Sequence, residues 1–207
     1  MLALLQHLHA GLLVGAMLLV GFGESLAQTP TYRTLEEWNT ERLHRQRNFA
    51  RGLTAFGLGS AATAAVVGYR NSSSAEERAA ADMTLGWAAV NTGLGIAALV
   101  RVRKELRGRV VENKPARALQ KTRNVLLFNA GLDVGYIAGG LYLHERGRSD
   151  DVKDAERLRG WGRAVMIQGF GLFVIDLVGY LYLREPRLQV QPIISGQGTG
   201  IGFSLEF

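Results

Sequence analysis

Four apolar stretches, at about 52–69, 83–101, 125–143 and 164–183, limit what this chain can become more than any other feature, because nearly all charges fall between them. Each runs roughly 18 to 20 residues, enough at ~1.5 Å per helical residue to span a hydrocarbon core of about 30 Å. None shows the period-two alternation of a barrel wall, so membrane strands are a poor fit. The chain's near-neutral average hydropathy would suit a soluble domain, but the average hides this segregation. The expected fold class is an all-α membrane protein: a four-helix transmembrane bundle over 52–184, built of two helical hairpins.

Charge supports the same reading. The chain of 207 residues carries 24 Lys and Arg against 18 Asp and Glu. A basic balance can mark nucleic-acid binding, but here the bases flank apolar blocks, where Arg and Lys meet lipid headgroups. The expected partner is therefore a lipid bilayer, with a homo-oligomer or an envelope protein beside it, and no nucleic acid. Cysteine is absent, which excludes disulfides and thiolate chemistry.

Residues 1–27 read as a signal peptide. The stretch 2–22 is nearly uncharged, and Ser25 and Ala27 fit the small-residue rule for cleavage before Gln28. No Lys or Arg precedes the apolar run, only His7 and His9, so an uncleaved anchor helix is the competing reading. The "LAQTP" ending resembles leaders of Bacteroidota envelope proteins. With its helical spans and C-terminal strand pair, the chain as a whole resembles small uncharacterised envelope proteins of that group. The resemblance implies a location in the bacterial envelope, in the inner membrane rather than the outer, and no activity.

Residues 28–51 are expected to form an amphipathic helix, opened by a capping box of Thr34 and Glu37, with Trp38 and Phe49 at the lipid interface. Ser74 and Glu77 make a second box opening the second span. Asn71 and Gly147 are placed to close helices, Ser149 to cap the fourth, and Pro115 to start the third. The two hairpins also look like copies, a parallel repeat: Gly57-Leu58 matches Gly131-Leu132, and Gly86-Trp87 matches Gly160-Trp161. A further slip of two pairs Gly93 and Gly95 with Gly169 and Gly171.

The tail, 185–207, alternates apolar and polar residues around Gly196–Gly200 and is expected to form a β-hairpin. Its "GIGFSLEF" ending resembles the last strand of outer-membrane barrels, but a single hairpin cannot close a barrel. Orientation is contested within the sequence. Lys and Arg number five in 31–51, nine in 101–124 and two after residue 183, against two and six at the hairpin tips. The positive-inside rule then puts the tail side in the cytoplasm, whereas a cleaved leader puts it outside.

Polar groups inside the spans are the candidate site. Asp133 and Asp176 fall at similar depth in the third and fourth spans, with Asn91 in the second and Asn129 one turn from Asp133. A mid-span carboxylate costs about 2.5–3.5 kcal/mol on insertion scales, so it faces the bundle interior. Two readings stay open: an ion or proton site, or interhelical hydrogen bonding. Tyr136 and Tyr180 lie close to these acids in sequence and are read chiefly as packing residues. Gly131, Gly135 and Gly139 form a small-xxx-small stripe for helix packing, on the face away from Asp133. No third glycine completes a dinucleotide fingerprint, and no P-loop, HExxH, GxSxG or metal-spaced histidine set occurs. No catalytic, cofactor or metal residue is expected, and the chain does not read as an enzyme. The expected role is structural or interactive, the alternative an ion- or proton-coupled transporter or channel component using Asp133 and Asp176.

Overall fold

A computed structural model of the chain describes residues 34–70, 74–108 and 114–183 with their side chains, and for the tail the backbone alone over 187–195 and 198–206. The leader expected over 1–27, the helix-closing role of Asn71 and the tail's side chains lie outside the described residues.

The described core is almost wholly helical. Helix α1 (Leu35–Ala64) runs on into a π-helical turn over Ala65–Arg70, and α2 (Ala75–Leu106), α3 (Pro115–Arg146) and α4 (Ala155–Tyr182) follow. All four are long and apolar enough to cross a membrane. At ~1.5 Å per residue they extend about 42 to 54 Å, longer than a hydrocarbon core of about 30 Å. The amphipathic stretch and the first apolar stretch form one continuous helix, α1, with no break near residue 51.

Local chemistry sets the helix starts. Thr34 Oγ1 accepts from the Glu37 N–H at 3.1 Å, and Ser74 Oγ from the Glu77 N–H at 3.2 Å. Pro115 opens α3, where its missing N–H costs no intrahelical bond. Helix α4 differs from expectation. Its N-cap is Asp154, without a side-chain capping bond, and Ser149 sits in the preceding turn. There the Ser149 carbonyl accepts from the Val152 N–H. Gly147 does close α3, but in right-handed geometry (φ −69°), so its value is not a left-handed turn. A Cβ there would sit 2.7 Å from the Ala155 carbonyl oxygen, so glycine lets the hairpin tip close tightly.

Helices α1 and α2 pair, α3 and α4 pair, and α2 against α4 joins the hairpins. Glycine sets the closest approaches. A Cβ at Gly57 would run into Thr92, and one at Gly95 into Thr54, so α1 and α2 touch almost backbone to backbone. In the second hairpin, Gly140 and Gly162 face each other: a Cβ on either lies 2.7 or 2.5 Å from the other's carbonyl oxygen. Gly160 meets the Glu76 carbonyl between hairpins, while Gly171 and Gly179 leave room for the rings of Phe56 and Phe49. Small residues at helix contacts bring backbones into dispersion range, which binds helices where lipid removes the hydrophobic drive.

The stripe of Gly131, Gly135 and Gly139 takes no part in this. All three are exposed, with nothing within 4 Å of an added Cβ, so among the described residues no helix packs against them. Helix α3 turns its Leu119, Leu126, Ala130, Asp133 and Gly140 face inward, which leaves that stripe outside. Glycines matched between the hairpins likewise differ in setting: Gly57, Gly160 and Gly169 are buried, whereas Gly131, Gly86 and Gly93 are exposed.

Trp38, expected at the interface, is only 3% exposed and forms a cluster with Leu119, Leu126, Tyr182 and Leu183. This cluster closes the end of the bundle where α1 and α3 begin and α2 and α4 finish, hereafter the connector end. Close by, the Arg42 guanidinium donates to Glu105 of α2, and also to Asn39 at 2.9 Å and Gln46 at 3.2 Å. At the opposite, tip end, Glu76 of α2 pairs with Arg159 at 2.9 Å and Arg163 at 3.3 Å of α4, tying the hairpins together.

Candidate polar site within the helical core

The outer surface of this bundle is far more apolar than that of a water-soluble protein, and its largely apolar interior also holds a few polar groups. Large apolar side chains point outward, among them Phe128 and Tyr142 at 68% exposure, with Leu94 and Phe170 close behind. Inside lie Asn91, Asp133, Gln168 and Asp176, each 7% exposed or less.

The structure brings three of the four expected site residues together. Asp133 of α3 and Asp176 of α4 lie within electrostatic reach of each other, and Asn129, one turn before Asp133, stands beside Asp176. The antiparallel pairing of α3 and α4 staggers the two acids instead of levelling them: the Asp133 carbonyl faces Gly169, two turns before Asp176, so Asp176 comes nearer the level of Asn129. Asn91 of α2 is buried at a matching level: Trp87, one turn before it, meets Tyr136, three residues past Asp133, with ring centroids 4.9 Å apart. No hydrogen bond joins Asn91 to either acid, and its Nδ2 has no partner. The neighbouring tyrosines act in packing, as Tyr136 edges onto Trp87 and Tyr180 carries the Arg123 guanidinium 4.5 Å above its ring.

Gln168 belongs with this group and was not anticipated. It is 3% exposed, on α4, and its Oε1 is unpartnered. The signal was present in the sequence, a single amide in an otherwise apolar span, but it is overshadowed there by the acids. A second miss lies at the connector end, where Arg42 is buried and the Nε of Arg47 is buried without a partner.

Chemically, the core holds two unmatched acceptors, Asp133 Oδ2 and Gln168 Oε1, and one unmatched donor, Asn91 Nδ2. A buried polar atom without a bond costs about 1–3 kcal/mol, so these atoms favour any water, proton or small cation that reaches them. Oxygen and amide donors suit hard cations or water, and no group of three or more His, Cys, Asp or Glu able to hold a metal occurs among the described residues.

No curated protein and no solved structure matches the chain. A family model does match, over residues 52–177, a stretch that contains Asn91, Asn129, Asp133, Gln168 and Asp176 and touches all four helices. The chain thus belongs to the family of unknown function DUF6992.

Proposed function

We propose that this chain is an integral membrane protein of the bacterial cell envelope, with all four helices crossing the bilayer and a structural or interaction role instead of a catalytic one. The apolar outer surface of the bundle carries this reading. Phe128, Leu94, Phe170 and Tyr142 suit lipid on the outside, while the only carboxylates within the spans are turned inward. Helical spans favour the inner membrane. The tail fits a β-hairpin at the membrane surface, supported by the antiparallel register of Arg187–Ser195 against Gly198–Glu206. In the interaction role, the outward stripe of Gly131, Gly135 and Gly139 is the face on α3 that admits a second helix, from another copy or an envelope partner.

Fractionation and solubility test the membrane assignment. The expected result is recovery in the membrane fraction and extraction only with detergent. A polypeptide that stays dispersed and monomeric in plain buffer refutes it. N-terminal sequencing of the membrane-extracted protein reports whether Gln28 begins the mature chain, and a C-terminal reporter fixes the side of the tail.

A second reading has its own observation, two buried acids within electrostatic reach of each other, with Asp133 Oδ2 unmatched. It is an ion- or proton-coupled transporter or channel component. On this reading Asp133→Asn and Asp176→Asn abolish a proton or cation flux in proteoliposomes; on the structural reading both variants fold and function nearly as the parent does. Absence of flux from folded parent protein removes the transport reading.

A further inference from the structure

The two ends of the bundle differ in charge far more than the chain's overall balance suggests. At the connector end, 31–51 and 101–124 together hold fourteen Lys and Arg against five acids, whereas the tip segments 70–82 and 144–163 hold eight of each sign. Pairing sharpens the difference. At the tips, Arg146 bonds Asp151, Arg148 bonds Glu145, and Arg159 and Arg163 share Glu76. At the connector end, Glu105 is consumed by buried Arg42 and Glu41 by Arg45. Arg101, Arg103, Lys104, Arg107, Arg117 and Lys121 are all exposed, and among the described residues no ion pair engages any of the six.

Their position is as telling as their sign. Arg101 follows directly on exposed Val100 of α2, and Lys121 lies one turn before exposed Val125 on α3. The basic residues thus begin where the outward apolar surface stops, on the end of α2 and the start of α3. Arg and Lys at such a boundary extend along the apolar surface and set their charges at headgroup level. Six such charges without acidic partners make a strongly positive field next to a surface suited to acyl chains.

We propose that the connector end is a collar for anionic phospholipid headgroups, formed by Arg101, Arg103, Lys104, Arg107, Arg117 and Lys121, and that the tip end has no such preference. This rests on the membrane reading and adds a partner to it. Attraction of a basic residue at an anionic surface is worth roughly fivefold in affinity, screened by salt, so a few engaged side chains give a clear selectivity.

The test reconstitutes the full chain in phosphatidylcholine vesicles with and without phosphatidylglycerol. Spin-labelled versions of each lipid report how many molecules are held at the protein surface. The expected result is several-fold preference for phosphatidylglycerol, reduced by salt. It is lost when Arg101, Arg103, Lys104 and Arg107 are all changed to Gln, and kept when Arg148 and Lys153 at the tip are. Circular dichroism establishes that both variants are folded. Equal retention of the two lipids by inserted parent protein overturns the collar but leaves the membrane reading standing. So does a tip variant that loses as much selectivity as the collar variant. Displacement of the labelled lipid by millimolar inorganic phosphate assigns the site to free phosphate and also overturns the proposal. A protein that restricts neither lipid and remains in the aqueous phase refutes the membrane reading itself.

Discussion

Replacing Gly162 by Ala is expected to destabilise the second hairpin, whereas the same change at Gly135 is not. The added methyl at 162 would lie 2.5 Å from both the Gly140 carbonyl oxygen and the His144 backbone nitrogen, and 2.9 Å from His144 Cα. Carbon contacts settle near 3.5–4.0 Å, and backbone atoms of a long helix cannot swing aside, so α3 and α4 must part by about 1 Å. The separation is felt along the hairpin, since Gly147 and Gly169 depend on the same close approach. Overpacking of this kind costs about 1–3 kcal/mol, and the better helix propensity of Ala offsets up to about 1 kcal/mol. The net expectation is a loss of roughly 1–2 kcal/mol. At Gly135, where nothing lies within 4 Å, only the propensity gain of about 1 kcal/mol or less remains. Unfolding in mixed micelles, followed by circular dichroism, measures both variants against the parent. Equal stability of parent and Gly162→Ala, or equal losses at 162 and 135, would refute the backbone-contact argument.

Leu at Gly135 leaves the monomer's helical bundle intact and breaks any assembly made through that face, measured as a drop in mass by light scattering in detergent. Arg42→Ala leaves Glu105 buried without its cation and costs about 3–5 kcal/mol in thermal unfolding, while Arg42→Met with Glu105→Leu recovers most of it. Gln168→Leu is neutral or stabilising if Oε1 is idle in the core, and destabilising if that oxygen holds a bound water or ion. At the exposed tip, the Arg146 guanidinium hydrogen-bonds Asp151 and holds its carboxyl below the ordinary carboxylate value. Because the folded value is the lower one, the pair's contribution is present above the ordinary carboxylate value and fades as pH falls through the folded one. An NMR titration of Asp151 in the parent and in Arg146→Gln reads this, the variant titrating higher.

The sequence on its own determined the four helices, their N-caps at Thr34 and Ser74, and the inward placement of Asp133, Asp176 and Asn91. Each follows from local rules: apolar length, a side-chain oxygen three residues before an N–H, and the expense of a carboxylate in an apolar setting. Depth was legible only in part: Asp133 and Asp176, expected at one level, are staggered, because the Asp133 carbonyl faces Gly169, two turns before Asp176. The facing of each helix was not. Helices apolar on nearly all sides carry no stripe that separates inside from outside, so periodicity cannot choose between two glycine rows on one helix. Only packing decided that Gly140 faces Gly162 while Gly131, Gly135 and Gly139 look outward. Packing likewise buried Trp38 among Leu119, Leu126, Tyr182 and Leu183, drawn from α1, α3 and the end of α4. It coupled Arg42 to Glu105 across 63 positions of chain and placed Gln168 in the core. Those outcomes depend on which neighbour arrives at each face, and a single helix carries no record of its neighbours.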